Sequence, residues 1–79
     1  MLVHVSLHGI LVRYLPDSTA GPRLDLSLPA AATVREAVAA LGLLEAYVAL
    51  ASVNRKRARL DSPLQDGDRL TLFPPVVGG

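Results

Sequence analysis

Three sets of residues in this chain carry groups that could do chemistry. They are His4, Ser6 and His8, the turn Asp66-Gly67-Asp68, and the stretch F-P-P-V-V-G-G from Phe73 to Gly79. The two histidines fail as a metal pair, because four steps along a strand separate them by about 13 Å, too far to share one ion. With Ser6 they lack an orienting acid and a G-x-S-x-G elbow for nucleophilic catalysis, so they are expected to be solvent-facing strand residues. Asp66 and Asp68 bracket a glycine without the calcium-loop pattern, and a plain turn is expected there. Arg55-Lys56-Arg57 with Arg59 forms a basic cluster, either a solvated hairpin or a docking point for an acidic partner surface. No aromatic residue interleaves with it, which argues against stacking on single-stranded nucleic acid. There is no G-x-x-x-x-G-K-[ST] loop and no cysteine, so the chain holds no nucleotide loop, thiolate metal site or thiol nucleophile of its own.

The third set is different. Pro74 and Pro75 cannot donate to a strand ladder, so they end pairing and stiffen the root of a tail. Gly78 and Gly79 pack nothing and are costly to order, yet they can enter a channel too narrow for a Cβ. From Pro74 an extended tail spans about 20 Å. Such an end is useful if a partner must reach the final carboxylate. That group is ionised at neutral pH and is a poor electrophile. To carry a group it must first be activated, most simply as an acyl-adenylate, from which a sulfur donor can displace AMP to leave a thiocarboxylate. Without cysteine, no thiol of the chain competes for the activated carbonyl.

The elements that must position this end are legible in the patterning. Seventy-nine residues make one domain with a small core, 51% hydrophobic but only 4% aromatic, so Leu, Val and Ala must fill it. The net charge of +1 argues against a generic nucleic-acid binder. No run approaches the ~18 apolar residues of a membrane span, and residues 1–12 lack a signal-peptide pattern, so a cytoplasmic protein is expected. Val3, Val5 and Leu7 alternate with His4, Ser6 and His8, giving a strand over 2–8 that Ile10 to Tyr14 either extends or leaves as loop. Leu15 to Pro22 is breaker-rich and predicts a hairpin loop, and Leu24, Leu26 and Leu28 predict a second strand. Thr33 and Glu36 form a capping box ahead of Val34, Ala37, Val38 and Leu41, with Gly42 as the stop, so a helix is predicted over 33–41. Val48 to Val53 predicts a third strand, Asn54 to Arg57 a basic turn, Ala58 to Leu60 a very short strand, and Arg69 to Phe73 the last strand. That alternation puts Phe73 on the side away from the helix, either exposed as an interaction surface or tucked into the core rim.

The stretch from V-A-L-A-S-V-N through P-L and D-G-D to F-P-P-V-V-G-G resembles the C-terminal half of the MoaD/ThiS ubiquitin-like sulfur carriers. The first half matches by pattern, so the likeness covers essentially the whole chain. It implies an α+β, β-grasp fold: a mixed sheet of four to five strands on one main helix, with a domain over 1–73 and a flexible tail over 74–79. It implies that a partner resembling ubiquitin-activating enzymes adenylates the Gly79 carboxylate with ATP and magnesium, no cofactor being held by this chain. The F-P-P-V-V-G-G end is most similar to the small subunits of molybdopterin synthase, whose tail enters the large subunit and delivers sulfur to the pterin precursor. Carried over, Gly79 would hold the sulfur and Gly78 would permit threading. Pro74, Pro75, Val76 and Val77 would line the tail's path, and Phe73 would help form the docking patch. The chain would then be a sulfur-donating subunit and not a catalyst alone, with neither nucleic acid nor membrane as partner. Thiamine-type carriers, carriers for transfer-RNA thiolation and lysine-conjugating modifiers share the diglycine end.

Overall fold

The structure, a computed structural model, describes residues 1–14 and 22–75. The predicted loop over Leu15 to Pro22 lies outside these, apart from Pro22, as do Val76, Val77, Gly78 and Gly79. Strand β1 runs Leu2–Leu7 and buries Val3, Val5 and Leu7 while His4 faces solvent. Ile10 to Tyr14 does not extend it. The chain turns at Gly9, whose φ of 57° suits glycine, into a 3-10 helix over Gly9–Tyr14. That turn drives Leu11 into the core, where it is fully buried.

Strand β2, Arg23–Ser27, pairs antiparallel with β1, placing Leu26 opposite Val3 and Leu24 opposite Val5. Both leucines are half-buried because β2 is an edge strand. Helix α1 spans Val34–Ala40, starting and stopping where its caps predict. Thr33 Oγ1 accepts from the Glu36 amide at 3.4 Å, and the Thr33 amide donates to Glu36 Oε1 at 3.3 Å. At the far end Gly42 takes a φ of 78°, and the Gly42 and Leu43 amides donate back to Ala39 and Val38. These paired bonds are a Schellman ending, which satisfies carbonyls that the helix leaves open.

The predicted third strand is shorter than the pattern suggests. Glu45–Tyr47 forms a 3-10 helix, and β3 covers Leu50–Val53. The short strand expected over Ala58 to Leu60 is instead β4, Lys56–Ala58. The reason is the turn. Val53 pairs with Lys56, so only Asn54 and Arg55 form the loop, and both have positive φ, 52° and 70°. This is the two-residue turn whose twist matches a hairpin, and it returns Lys56 and Arg57 to the ladder. Strand β5, Arg69–Phe73, lies where its alternation predicts, with Leu70 and Leu72 fully buried.

The five strands form one sheet in the order β2-β1-β5-β3-β4. β1 and β5 run parallel, and the other pairs are antiparallel. Val34, Ala37 and Val38 of α1 join Val3, Val5, Leu70 and Leu72 of the sheet in one core. This mixed five-stranded sheet with one helix across a single face is the β-grasp arrangement. Its other face carries His4, Ser6, Thr71 and Phe73, the alternate residues of β1 and β5.

Candidate functional site

The last strand ends beside the first, so the root of the tail is built from distant parts of the sequence. The His8 amide donates to Leu72 O at 3.1 Å, and the Ala49 amide donates to Phe73 O at 2.9 Å. The His8 ring stacks on the Phe73 ring with centroids 4.5 Å apart and planes at 27°. Phe73 is half-buried on the face away from the helix, neither a bare surface residue nor part of the core. Leu50 stands opposite it in register and is exposed, which leaves an apolar spot beside the stack. Pro74 is half-buried, and Pro75 is exposed. A Cβ on Gly9 would stand 3.3 Å from Pro74 Cγ, so glycine there lets the proline sit close.

Sequence patterning named Phe73, Pro74 and Pro75 but not the seat beneath them. His8 and Gly9 become neighbours of the tail only because β1 and β5 pair in parallel, and no local pattern announces that pairing. Val76, Val77, Gly78 and Gly79, the remaining residues predicted for the site, lie outside the described residues.

The other chemical candidates have structural roles. Asp66 Oδ1 accepts from the Leu2 amide at 2.7 Å. Asp68 is buried and accepts from Asn54 Nδ2 at 2.9 Å and from the Gln65 amide at 2.8 Å. Asn54 Oδ1 in turn accepts from the Arg69 amide at 2.9 Å. The D-G-D turn is therefore a staple between the β3–β4 hairpin and the start of β5. Among the described residues no group of three or more His, Cys, Asp or Glu could hold a metal ion. His4 does have an acid beside it, since its Nδ1 meets Asp25 Oδ1 at 2.7 Å. Both are exposed side chains across a strand pair, and among the described residues no hydrogen bond joins Ser6 to them. No helix among the described residues is long and apolar enough to cross a membrane.

A β-grasp sheet whose last strand is followed in sequence by two prolines and a diglycine defines a ubiquitin-like carrier class. A family model described as the ThiS family matches residues 16–79. The chain belongs to the ThiS family, the ubiquitin-like sulfur carriers. It is 36% identical over 58 residues to protein RnfH of Burkholderia mallei, covering 66% of this chain and 53% of that one. It is 53% identical over 30 residues to the molybdopterin synthase sulfur carrier subunit of Escherichia coli, covering 38% of this chain and 37% of that one. The match thus spans about half of the first relative's length and little more than a third of the second's. Among solved structures, SAMP1 from Haloferax volcanii superposes over the whole of both chains with a TM-score of 0.74 at 23% identity, a likeness of fold. A complex of subunits 1 and 2 of the molybdopterin-converting factor from Helicobacter pylori contains a chain with a TM-score of 0.60 at 26% identity, again over both full lengths.

Proposed function

We propose that this chain is the sulfur-donating small subunit of a molybdopterin synthase, with the Gly79 carboxyl as its working group. The observation that carries the reading is the sequence F-P-P-V-V-G-G at the end of β5 in a ThiS-family β-grasp sheet. The domain is residues 1–73, and 74–79 is the tail. The match to a molybdopterin synthase sulfur carrier subunit supports the pathway. The likeness to a chain from a two-subunit converting factor supports a large-subunit partner.

In this reading a Gly79 carboxylate oxygen attacks the α-phosphorus of ATP in a magnesium-dependent adenylyltransferase partner. Pyrophosphate leaves and the acyl-adenylate remains. Sulfide, delivered by a donor protein, then attacks the carbonyl carbon, the acyl–phosphate bond breaks, AMP departs, and a proton is released. The product is a thiocarboxylate that delivers its sulfur inside the large subunit. This chain supplies the electrophilic carbon and the means of presenting it. Gly78 lets the end thread a narrow channel, Pro74 to Val77 line its path, and Phe73 with Leu50 supplies the docking patch.

Intact-mass analysis of the protein purified from its own cells tests the chemistry. A population heavier by the exchange of one oxygen for one sulfur is expected, together with co-purification of a synthase large subunit. Recovery of a thiazole synthase or a transfer-RNA thiolation enzyme as the partner would overturn the pathway. A second reading is a protein modifier, since the fold is shared with small archaeal modifier protein 1 of Haloferax volcanii. Lysine adducts ending in Gly79, in place of the sulfur-bearing population, would support it.

A further inference from the structure

The small net charge conceals an uneven distribution. Among the described carboxylates, Asp25 is held by His4, Glu36 by the helix cap, Glu45 by Arg35, Asp66 by the Leu2 amide and Asp68 by Asn54. Only Asp61 has no such bond, and it lines a different hollow, shared with Arg57 and Arg59. Among the described residues, Arg23, Arg55 and Arg69 on the open face of the sheet meet one carboxylate, Asp25. Cross-strand register sets Arg23, Ser6, Thr71, Ser52 and Arg57 in one row straight across the five strands. At the spacing of neighbouring strands this row is about 19 Å long. It has a guanidinium at each end and three short hydroxyl side chains between. Beside it Arg69 and the turn residue Arg55 join Arg23, His4, Ser6 and Thr71 around a groove of about 380 Å³. Among the described residues the one carboxylate lining that groove is Asp25, which is bonded to His4. Arg55 has a left-handed backbone, with φ 70°, and follows Asn54, whose side chain bonds Asp68.

We propose that this trough binds an extended acidic segment of a partner protein, about six residues long, laid across the strands. The low hydroxyl floor lets a peptide backbone approach, and the arginines at its margins offer planar forks that match carboxylates in two-pronged geometry. An acidic protein segment fits better than nucleic acid because, among the described residues, no Phe, Tyr or Trp lines the groove to stack bases. The chain's single Phe is already stacked on His8 at the other end of the sheet. Nothing in this placement depends on a sulfur-carrying end. The trough is separate from the Phe73–Leu50 spot and adds charge selectivity to the same open face.

The test uses the full chain, a fluorescein-labelled hexaglutamate peptide and a hexauridine of the same label, followed by anisotropy and by amide chemical shifts. Saturable, salt-weakened binding of hexaglutamate is expected, with shifts centred on Ser6, Arg23, Arg69 and Thr71. Arg23→Glu with Arg69→Glu should weaken it by roughly tenfold or more, through loss of charge-assisted bonds. Arg59→Glu, outside the groove, should leave it within about twofold. Should the double reversal disturb the fold, Arg23→Gln with Arg69→Gln carries the same test. Absence of saturable binding at low salt, equal losses from Arg59→Glu, or shifts elsewhere would overturn the proposal. Tighter binding of hexauridine would overturn it too, by making the trough a nucleic-acid surface.

Discussion

At the scale of single residues, Asp68 does more than its place in a turn suggests. A carboxylate only 9% exposed is tolerated because both of its oxygens are partnered. Asp68→Ala is expected to strand the Asn54 amide and the Gln65 N–H, costing about 2–3 kcal/mol, measurable as a lower urea midpoint. Asn54→Ala should not add its full cost to that variant, because the two residues belong to one network. The glycines offer a second comparison. Gly67 has a φ of 85° with open space around it, so Gly67→Ala should cost about 1 kcal/mol through backbone strain alone. Gly9→Ala carries similar strain and also presses on the Pro74 ring. Amide and ring shifts at His8, Phe73 and Pro74 should therefore move in Gly9→Ala and stay put in Gly67→Ala.

At the scale of elements, α1 is a seven-residue helix, too short to persist without its ends and its packing. Thr33→Ala removes the side-chain half of the capping box and should cost about 1 kcal/mol of unfolding free energy. The 3-10 helix over Gly9–Tyr14 is anchored differently, through the core. Leu11 is fully buried there, and Leu11→Ala should cost about 2–5 kcal/mol, the larger values applying if the site cannot collapse. Denaturant titration of the two variants ranks them, and a Thr33→Ala loss exceeding that of Leu11→Ala would contradict a core-held turn.

For the whole molecule, every fully buried apolar residue described lies between Val3 and Leu72, so the fold closes before the diglycine is reached. Deleting Gly78 and Gly79 is expected to leave the melting temperature unchanged while abolishing the proposed adenylation. A melted domain after that deletion would contradict a working end that stands apart from the globule. The open sheet face carries the apolar spot at Phe73 and Leu50 and, toward β2 and the β3–β4 turn, the arginine trough.

What could be known from sequence alone was whatever depends on neighbours within a few residues. The alternation of Val3, Val5 and Leu7, the Thr33–Glu36 cap, the Gly42 stop and the Asp66-Gly67-Asp68 turn are local, and the structure places each where its pattern points. The chemical character of F-P-P-V-V-G-G was equally plain, because it rests on residue types in order. Tertiary structure decided the rest. It folded Gly9–Tyr14 into a 3-10 turn to bury Leu11, and it trimmed the basic turn to Asn54-Arg55. It also set β5 beside β1, bringing His8 under Phe73 and four arginines onto one face. Strand order and register arise from packing the sheet on α1, and that energy is shared among residues far apart in the chain, where no local pattern records it.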